Sequence, residues 1–199
     1  MSGAKAIDYL QQTFAESLEI KRRFIQDHAS DLVRGAERMA KCVNEGGKVL
    51  IFGNGGSAAD AQHMAAEMVG RMLLDRRPLP AIALTTDTSN LTAVGNDFGF
   101  DQVFLKQIQA LGRSGDVAVA ISTSGGSKNV LLAVEECRKR GIFVIGLTGG
   151  KGGRLKELCD LCLSASLGTN SSRIQESHIF AVHSLVDLMD RFFLGAAPN

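Results

Sequence analysis

Histidine and glutamate side chains at helical spacing mark the first segment of the chain that could carry out chemistry. His63 and Glu67 stand four residues apart in the stretch AQHMAAEMV, so a helix there would place both side chains on one face. A histidine and a glutamate in that arrangement can bind a divalent metal ion or serve as an acid–base pair. Most such pairs are ordinary solvated contacts on a helix surface, and the spacing alone favours that interpretation.

A second segment, RIQESHIFAVH, places polar side chains within an apolar helical pattern. One histidine in such a pattern is typical of a buried core residue. Here His178 and His183 occur together with Gln175 and Glu176, which favours a functional group of side chains. On a regular helix Gln175 and His183 lie ~12 Å apart along the axis, a distance that one metal ion would barely span. If both bind one ion, we expect that one comes from a neighbouring subunit or that the helix begins irregularly.

The glycine-rich stretch GNGGS follows an apolar segment and precedes a predicted helix. Gly53, Gly55 and Gly56 let the backbone turn sharply and approach a ligand closely. Ser57 is a suitable helix N-cap, and Asp60 three residues later completes an S-x-x-D capping signal. The stretch is neither a G-x-G-x-x-G motif nor a Walker loop, so a tight turn and a ligand-binding loop are equally good interpretations.

A second loop, STSGGS, offers four side-chain hydroxyl groups between a predicted strand and a predicted helix. Backbone N–H groups and the positive end of the helix dipole at such a junction bind phosphate without a lysine or arginine. A serine-rich turn is the alternative, but two such loops in one sheet favour a phosphorylated ligand. The hydroxyl groups belong to Ser122, Thr123, Ser124 and Ser127.

The stretch TAVGNDFGFDQVF, residues 92–104, carries Asn96 and Asp97 between glycines and predicts a loop. Amide and carboxylate side chains in a loop suit the recognition of sugar hydroxyl groups. A plain turn explains the same pattern equally well.

Five short apolar segments alternate with helical patterns in the rest of the chain. The alternation predicts an α/β fold whose parallel sheet is covered on both faces and binds ligands at the carboxyl ends of its strands. The predicted strands are 48–53, 80–84, 116–122, 142–149 and 161–165. Residues 4–46 predict two amphipathic helices, and a long final helix is predicted over roughly 172–194.

The composition narrows the possible classes of function. The chain has 199 residues, 45% hydrophobic content and a net charge of +1, which predict one compact domain. This charge balance gives no electrostatic reason to expect nucleic-acid or membrane binding. Nothing resembles a signal peptide and no apolar run approaches the ~20 residues of a membrane span, so we expect a cytoplasmic protein.

The four cysteines include one C-x-x-C pair, CDLC. A zinc ribbon needs a second pair, and a redox motif needs a thiol at a helix start, whereas LCDLCLSA resembles a short strand. Buried cysteines are therefore the favoured interpretation. The four are Cys42, Cys137, Cys159 and Cys162.

Taken in order, the motifs GNGGSAADAQH, LPAIALTTDTS, VGNDFGFDQVF, ISTSGGSKNV, IGLTGGKGG and RIQESHIFAVH resemble the phosphoheptose isomerases, which have the sugar isomerase (SIS) fold. The resemblance covers nearly the whole chain. It implies one SIS domain over 1–199, a flavodoxin-like three-layer sandwich with a central five-stranded parallel sheet. It also implies that the helices of 1–46 form an extension used to assemble a homotetramer, with active sites between subunits.

The resemblance also implies a substrate and a reaction. Members of this family isomerise sedoheptulose 7-phosphate to D-glycero-D-manno-heptose 7-phosphate through an enediol or enediolate. The reaction is the first step of ADP-heptose biosynthesis for lipopolysaccharide core or related glycans. One zinc ion per subunit is implied as the cofactor.

Roles for individual residues follow from the family motifs. The hydroxyls of STSGGS correspond to the phosphate site, and Glu67 and His183 correspond to the catalytic pair. The positions implied to contact substrate elsewhere are Asn54, Gly55, Gly56, Ser57, Glu67, Asn96, Asp97 and Gln175. Those implied to bind zinc are His63, Glu67, Gln175 and His183. Gly126 and the pair Ser171 and Ser172 depart from the usual family residues beside the phosphate loop and the final helix.

Two alternatives stay open at this point. The same fold serves a non-catalytic regulator that binds the replication initiator DnaA and lacks the carboxylate and histidine at the positions of Glu67 and His183. This chain has both residues, which favours an enzyme. Another phosphosugar isomerase is the second alternative.

Overall fold

Five apolar segments form one parallel β-sheet in the computed structural model, which describes residues 3–195. The strand order is β2-β1-β3-β4-β5, the flavodoxin-like arrangement, and it confirms the predicted fold class. Each predicted strand is present, with ends that differ by at most one residue. The strands are β1 Val49–Gly53, β2 Ala81–Ala83, β3 Val117–Ile121, β4 Phe143–Gly149 and β5 Leu161–Ala165.

Helices cover both faces of the sheet and produce the three-layer sandwich. Alternate strand residues face opposite layers, so Ile51 packs in one core and Leu50 in the other. The first core lies against α1, α2 and α7, and the second lies mainly against α4 and α5. The helices are α1 Gly3–Asn44, α2 Gly56–Val69, α3 Thr88–Phe98, α4 Val103–Leu111, α5 Lys128–Lys139, α6 Leu155–Leu158 and α7 Ser171–Leu194.

The N-terminal segment forms a single helix, so the prediction of two helices is wrong. Helix α1 runs unbroken for 42 residues. Its sequence contains no proline. The buried side chains of Phe24 and Leu32 belong to one apolar stripe that continues across the boundary between the two predicted helices. Gly35 does not interrupt the helix, and it allows close packing on α7, because a Cβ there would lie 3.0 Å from Leu185 Cδ2.

The two ends of α1 have different surroundings. From Ile20 onward its apolar stripe is buried in the core, whereas the first turns leave large apolar side chains on the surface. Leu10 and Phe14 are 64% and 65% exposed. Apolar side chains at this density on one helix surface are typical of a contact with another protein chain.

Within residues 3–195 no helix combines the length and the apolar character needed to cross a membrane.

Candidate active site

A cleft of about 290 Å³ opens at the topological switch point of the sheet, where the strand order reverses between β1 and β3, beside the carboxyl ends of these two strands. Gly53 and Ile121 are register partners at these ends, so the two loops that follow start side by side. Ligands bind at this switch point in open α/β sheets. We call this the glycine–serine cleft, and it is lined by Asn54, Gly55, Gly56, Ser57, Ile121, Ser122, Thr123, Ser127, Ser171 and Gln175.

Three helices begin at the glycine–serine cleft. Helix α2 starts at Gly56, α5 starts directly after Ser127, and α7 starts at Ser171. The N-cap residues of α2 and α5, Gly55 and Ser127, make no side-chain capping bond, whereas Asn170 caps α7 by accepting a hydrogen bond from the Arg173 N–H at 3.0 Å. The positive ends of three helix dipoles meet here, which makes the cleft suited to an anion such as a phosphate group.

The capping role predicted for Ser57 is wrong. Gly55 occupies the N-cap position with φ 57°, and this left-handed turn starts the helix ahead of Ser57. Ser57 is instead buried and lines the cleft. The carboxylate oxygen Oδ2 of Asp60, the partner in the predicted capping signal, is buried without a hydrogen bond.

Hydrogen bonds hold the cleft loops in place. Ser122 Oγ and Ser127 Oγ lie 3.0 Å apart, which closes the hydroxyl-rich loop on itself. Asn54 and Asn129 exchange two amide hydrogen bonds of 2.9 Å and so connect the first loop to the first turn of α5. Sequence reasoning missed Asn129. The feature that could have indicated it is a polar residue at a helical position that is buried.

Gly56 and Gln175 are in close contact across the cleft. A Cβ at Gly56 would lie 2.4 Å from Gln175 Nε2, so only glycine leaves room for this side chain. Gln175 therefore lies over the first turn of α2, as a cleft residue.

His63, Glu67 and His183 meet on the neighbouring surfaces of α2 and α7, and we call them the histidine–glutamate cluster. His63 Nε2 lies 3.4 Å from Glu67 Oε1 and 3.0 Å from His183 Nε2. The His63 side chain is 44% exposed and that of Glu67 is 23% exposed. The predicted helical pair is thus confirmed as a contact, and His183, which the resemblance groups with it, lies beside His63.

A buried ion pair fixes the two helices that carry the cluster. Arg76 Nε donates to Asp190 Oδ1 of α7 at 2.7 Å, and both side chains are at most 1% exposed. The Arg76 guanidinium also donates to the carbonyl oxygens of Glu67, Met68 and Gly70, each at 2.9 Å, at the end of α2. Burial raises the pKa of Asp190, although Arg76 acts in the opposite direction. Sequence reasoning missed this pair.

Asn96 and Asp97 lie on helix α3, so the predicted loop is wrong. Asp87 caps the helix by accepting from the Asn90 N–H at 2.9 Å, and the helix ends only at Gly99 with φ 87°. Asn96 and Asp97 are exposed, hydrogen-bond to each other at 2.8 Å, and do not line the glycine–serine cleft. Their contact with substrate stays a prediction.

Ser124 belongs to the hydroxyl-rich loop STSGGS without lining the cleft. Its Oγ accepts a hydrogen bond from the Gly126 N–H at 3.2 Å and so shapes the turn. Gly126 itself has open space around it, since the nearest atom to a built Cβ is Ser124 Oγ at 3.7 Å.

The donor types of the cluster fit zinc, but the side chains do not surround a common point. Two imidazoles and one carboxylate are a known set for catalytic zinc, which bonds to nitrogen and oxygen at ~2.0–2.2 Å. Within residues 3–195 no group of three or more His, Cys, Asp or Glu side chains is arranged to hold a metal ion. Helix α7 begins regularly at Ser171, which removes the irregular start proposed for joining Gln175 to His183. Zinc binding therefore stays a prediction.

Comparison with known proteins assigns the family. The model of the SIS domain family matches residues 12–149. A phosphoheptose isomerase of Campylobacter concisus is 50% identical over 189 residues, covering 94% of this chain and 100% of that protein.

Solved structures give the same result. A phosphoheptose isomerase structure from Neisseria gonorrhoeae has 47% identity and a TM-score of 0.87, covering 93% of this chain and 98% of that one. One from Francisella tularensis has 40% identity and a TM-score of 0.90, covering 96% and 100%. The chain therefore belongs to the phosphoheptose isomerases, enzymes of the SIS domain family.

Proposed function

We propose that the chain isomerises sedoheptulose 7-phosphate to D-glycero-D-manno-heptose 7-phosphate. The observation that carries this proposal is that helices α2 and α7 each contribute residues both to the glycine–serine cleft and to the histidine–glutamate cluster. Helix α2 lines the glycine–serine cleft with Ser57 and presents His63 ~9 Å further along its axis. Helix α7 likewise lines the cleft with Gln175 and presents His183. A phosphate held in the cleft would leave the sugar carbons directed along these helices toward the cluster.

The cluster supplies groups for proton transfer between the sugar carbons. In the open-chain ketose, Glu67 removes a proton from C1 and later returns it to C2. His183 gives a proton to the C2 oxygen and takes one from the C1 hydroxyl, so the enediolate becomes the aldose. The contact of His63 with both side chains orients them for these transfers.

One zinc ion per subunit is part of the proposal, bound by His63, Glu67 and His183. When bound, the ion would polarise the substrate carbonyl and stabilise the enediolate. Gln175 lies against Gly56 at the cleft, ~12 Å from His183 along the α7 axis. Its role as a ligand would require a contribution from a neighbouring subunit.

Assembly into a homotetramer with active sites between subunits is supported by two features of the single chain. The first turns of α1 expose Leu10 and Phe14, and His63 of the cluster is 44% exposed on the open side of the site. Neighbouring subunits that contact the first turns of α1 and the open side of the site would bury the apolar side chains and enclose the cluster. We also propose that the product enters ADP-heptose biosynthesis for lipopolysaccharide core, and that the protein acts in the cytoplasm.

The direct test is turnover of sedoheptulose 7-phosphate by the purified protein, with aldoheptose 7-phosphate detected as product. We expect conversion, a loss of rate on treatment with a chelator, and recovery on addition of zinc. Binding of the sugar phosphate without turnover, with zinc present, would instead indicate a regulator. A panel of other ketose phosphates separates this substrate from those of other phosphosugar isomerases, because a faster reaction with a shorter sugar would contradict the proposed specificity.

A further inference from the structure

The pair Cys159 and Cys162 lies outside the candidate active site and has an arrangement of its own. Cys159 directly follows α6, and Cys162 is the second residue of β5. Both thiols are free and partly exposed, whereas Cys42 and Cys137 are buried. The expectation of buried cysteines is therefore confirmed for Cys42 and Cys137 and wrong for the C-x-x-C pair.

A glycine in the neighbouring strand brings the two sulfur atoms together. Gly146 of β4 is the register partner of Cys162 in β5. A Cβ on Gly146 would lie 3.0 Å from Cys159 Sγ, so the Cys159 side chain occupies the space that Gly146 leaves open. Cys159 is thereby placed beside Cys162: its sulfur lies against Gly146, whose register partner is Cys162, and it donates to the Lys156 carbonyl oxygen at 3.8 Å.

The environment makes the two thiols unequal. The neighbouring Cys159 thiol lowers the pKa of Cys162, with a further contribution from the charge of Lys156. The neighbouring Cys162, together with burial, raises the pKa of Cys159. Cys162 is therefore the group that ionises first, and Cys159 stays protonated beside it. A thiolate next to a second thiol is the arrangement typical of oxidation-sensitive cysteines.

We propose that Cys159 and Cys162 form a modification site that a hydroperoxide converts reversibly into an intramolecular disulfide. The Cys162 thiolate attacks one peroxide oxygen, the O–O bond breaks, hydroxide leaves, and Cys162 becomes a sulfenic acid. Cys159 then attacks this sulfur, the S–S bond forms, the S–O bond breaks, and water leaves with the Cys159 proton. The sulfurs lose two electrons, the peroxide gains them, and the hydroxide takes up the proton that Cys162 released on ionising.

The experiment treats the wild-type protein with hydrogen peroxide and maps its thiols by alkylation and peptide mass spectrometry. We expect Cys159 and Cys162 to become inaccessible to alkylation together, with the loss of two hydrogens from the peptide that contains them. Dithiothreitol should restore both thiols. Cys42 and Cys137, whose pKa values burial raises to about 11 and about 12, are internal controls that should stay reduced.

The order of reactivity gives a second, independent measurement. Limiting iodoacetamide should label Cys162 before Cys159, and the variant Cys159→Ser should accumulate a sulfenic acid at Cys162 that dimedone traps. Oxidation of Cys42 or Cys137 first, a disulfide only between chains, or two free thiols after a peroxide dose that oxidises glutathione would each overturn the proposal. The measurements on the wild-type chain decide the question even if the variant does not fold.

Discussion

The glycine–serine cleft and the histidine–glutamate cluster are built by different means, although both use α2 and α7. The cleft presents backbone N–H groups and buried hydroxyls such as those of Ser57 and Ser122, held at the ends of two central strands. The cluster presents ionisable side chains from the middle of two helices, and His63 is 44% exposed. The single chain thus preorganises the glycine–serine cleft, whereas the histidine–glutamate cluster depends on helix packing and stays open on one side.

The largest expected effect concerns the cluster. Glu67→Gln and His183→Gln should each lower kcat by about 100-fold or more, because each removes a group that transfers protons. The change in KM should be small, since the proposed phosphate site in the cleft is untouched. Steady-state kinetics and thermal unfolding of each variant provide the measurement, with Glu37→Gln on the exposed surface of α1 as a matched control. Unchanged turnover in either variant would refute the assignment.

The ion pair between Arg76 and Asp190 holds the cluster together, and its removal should affect the fold. Arg76→Ala should lower the free energy of unfolding by about 3 kcal/mol, because the buried Asp190 carboxylate loses its partner. Arg77→Ala is the matched control, since Arg77 is exposed and contacts Phe193 at the surface. Urea unfolding of the three proteins tests this, and equal losses in both variants would contradict a special role for Arg76.

His178 separates the pH dependence of the fold from that of the cluster. Burial lowers its pKa to about 4, and its Nε2–H donates to the Thr148 carbonyl oxygen at 2.9 Å. In the unfolded chain His178 has a pKa near 6.5 and takes up a proton as the pH falls below that value. In the folded chain it stays neutral until the pH approaches 4. Stability is therefore complete above pH ~6.5 and falls as the pH drops toward 4, by up to about 3 kcal/mol.

The measurement for His178 is urea unfolding at several pH values between 7.5 and 4.5. His178→Gln should show a weaker fall in stability with decreasing pH than the wild type, because the glutamine amide does not titrate. Parallel curves for the two proteins would show that other groups cause the acid sensitivity. Activity changes above pH ~6.5 then report on the cluster and not on the fold.

The strands and the cleft were predictable because their signals are local. Continuous apolar runs such as VLIF and VAVAI mark buried parallel strands, and parallel strands bring their following loops to one edge. The errors at Ser57 and at Asn96 come from turn chemistry. Two flanking glycines predict a loop near Asn96, whereas helix α3, capped at its start by Asp87, runs through Gly95.

Contacts between distant segments had no local signal. Arg76 and Asp190 are 114 positions apart, and only the packed structure brings them together. The division of α1 into two predicted helices is wrong because no proline or glycine interrupts residues 4–34, and packing on α7 and β5 stabilises the helix across the predicted boundary. His28 in this region lies 3.1 Å from the Ser164 backbone of β5 and so covers the free edge of the sheet.

The smallest expected effect tests how tightly the cleft is preorganised. In Gly56→Ala the new Cβ would lie 2.4 Å from Gln175 Nε2, so the glutamine side chain must move. KM for the sugar phosphate should rise about tenfold, as expected for the loss of one hydrogen bond to a charged group, while kcat changes less. Gly126→Ala is the matched control in the other loop, because its Cβ would meet only an ordinary contact at 3.7 Å. If Gly56→Ala instead lowers kcat with an unchanged KM, the cleft and the cluster are not separable, since disturbing α2 at its first turn would then act on Glu67.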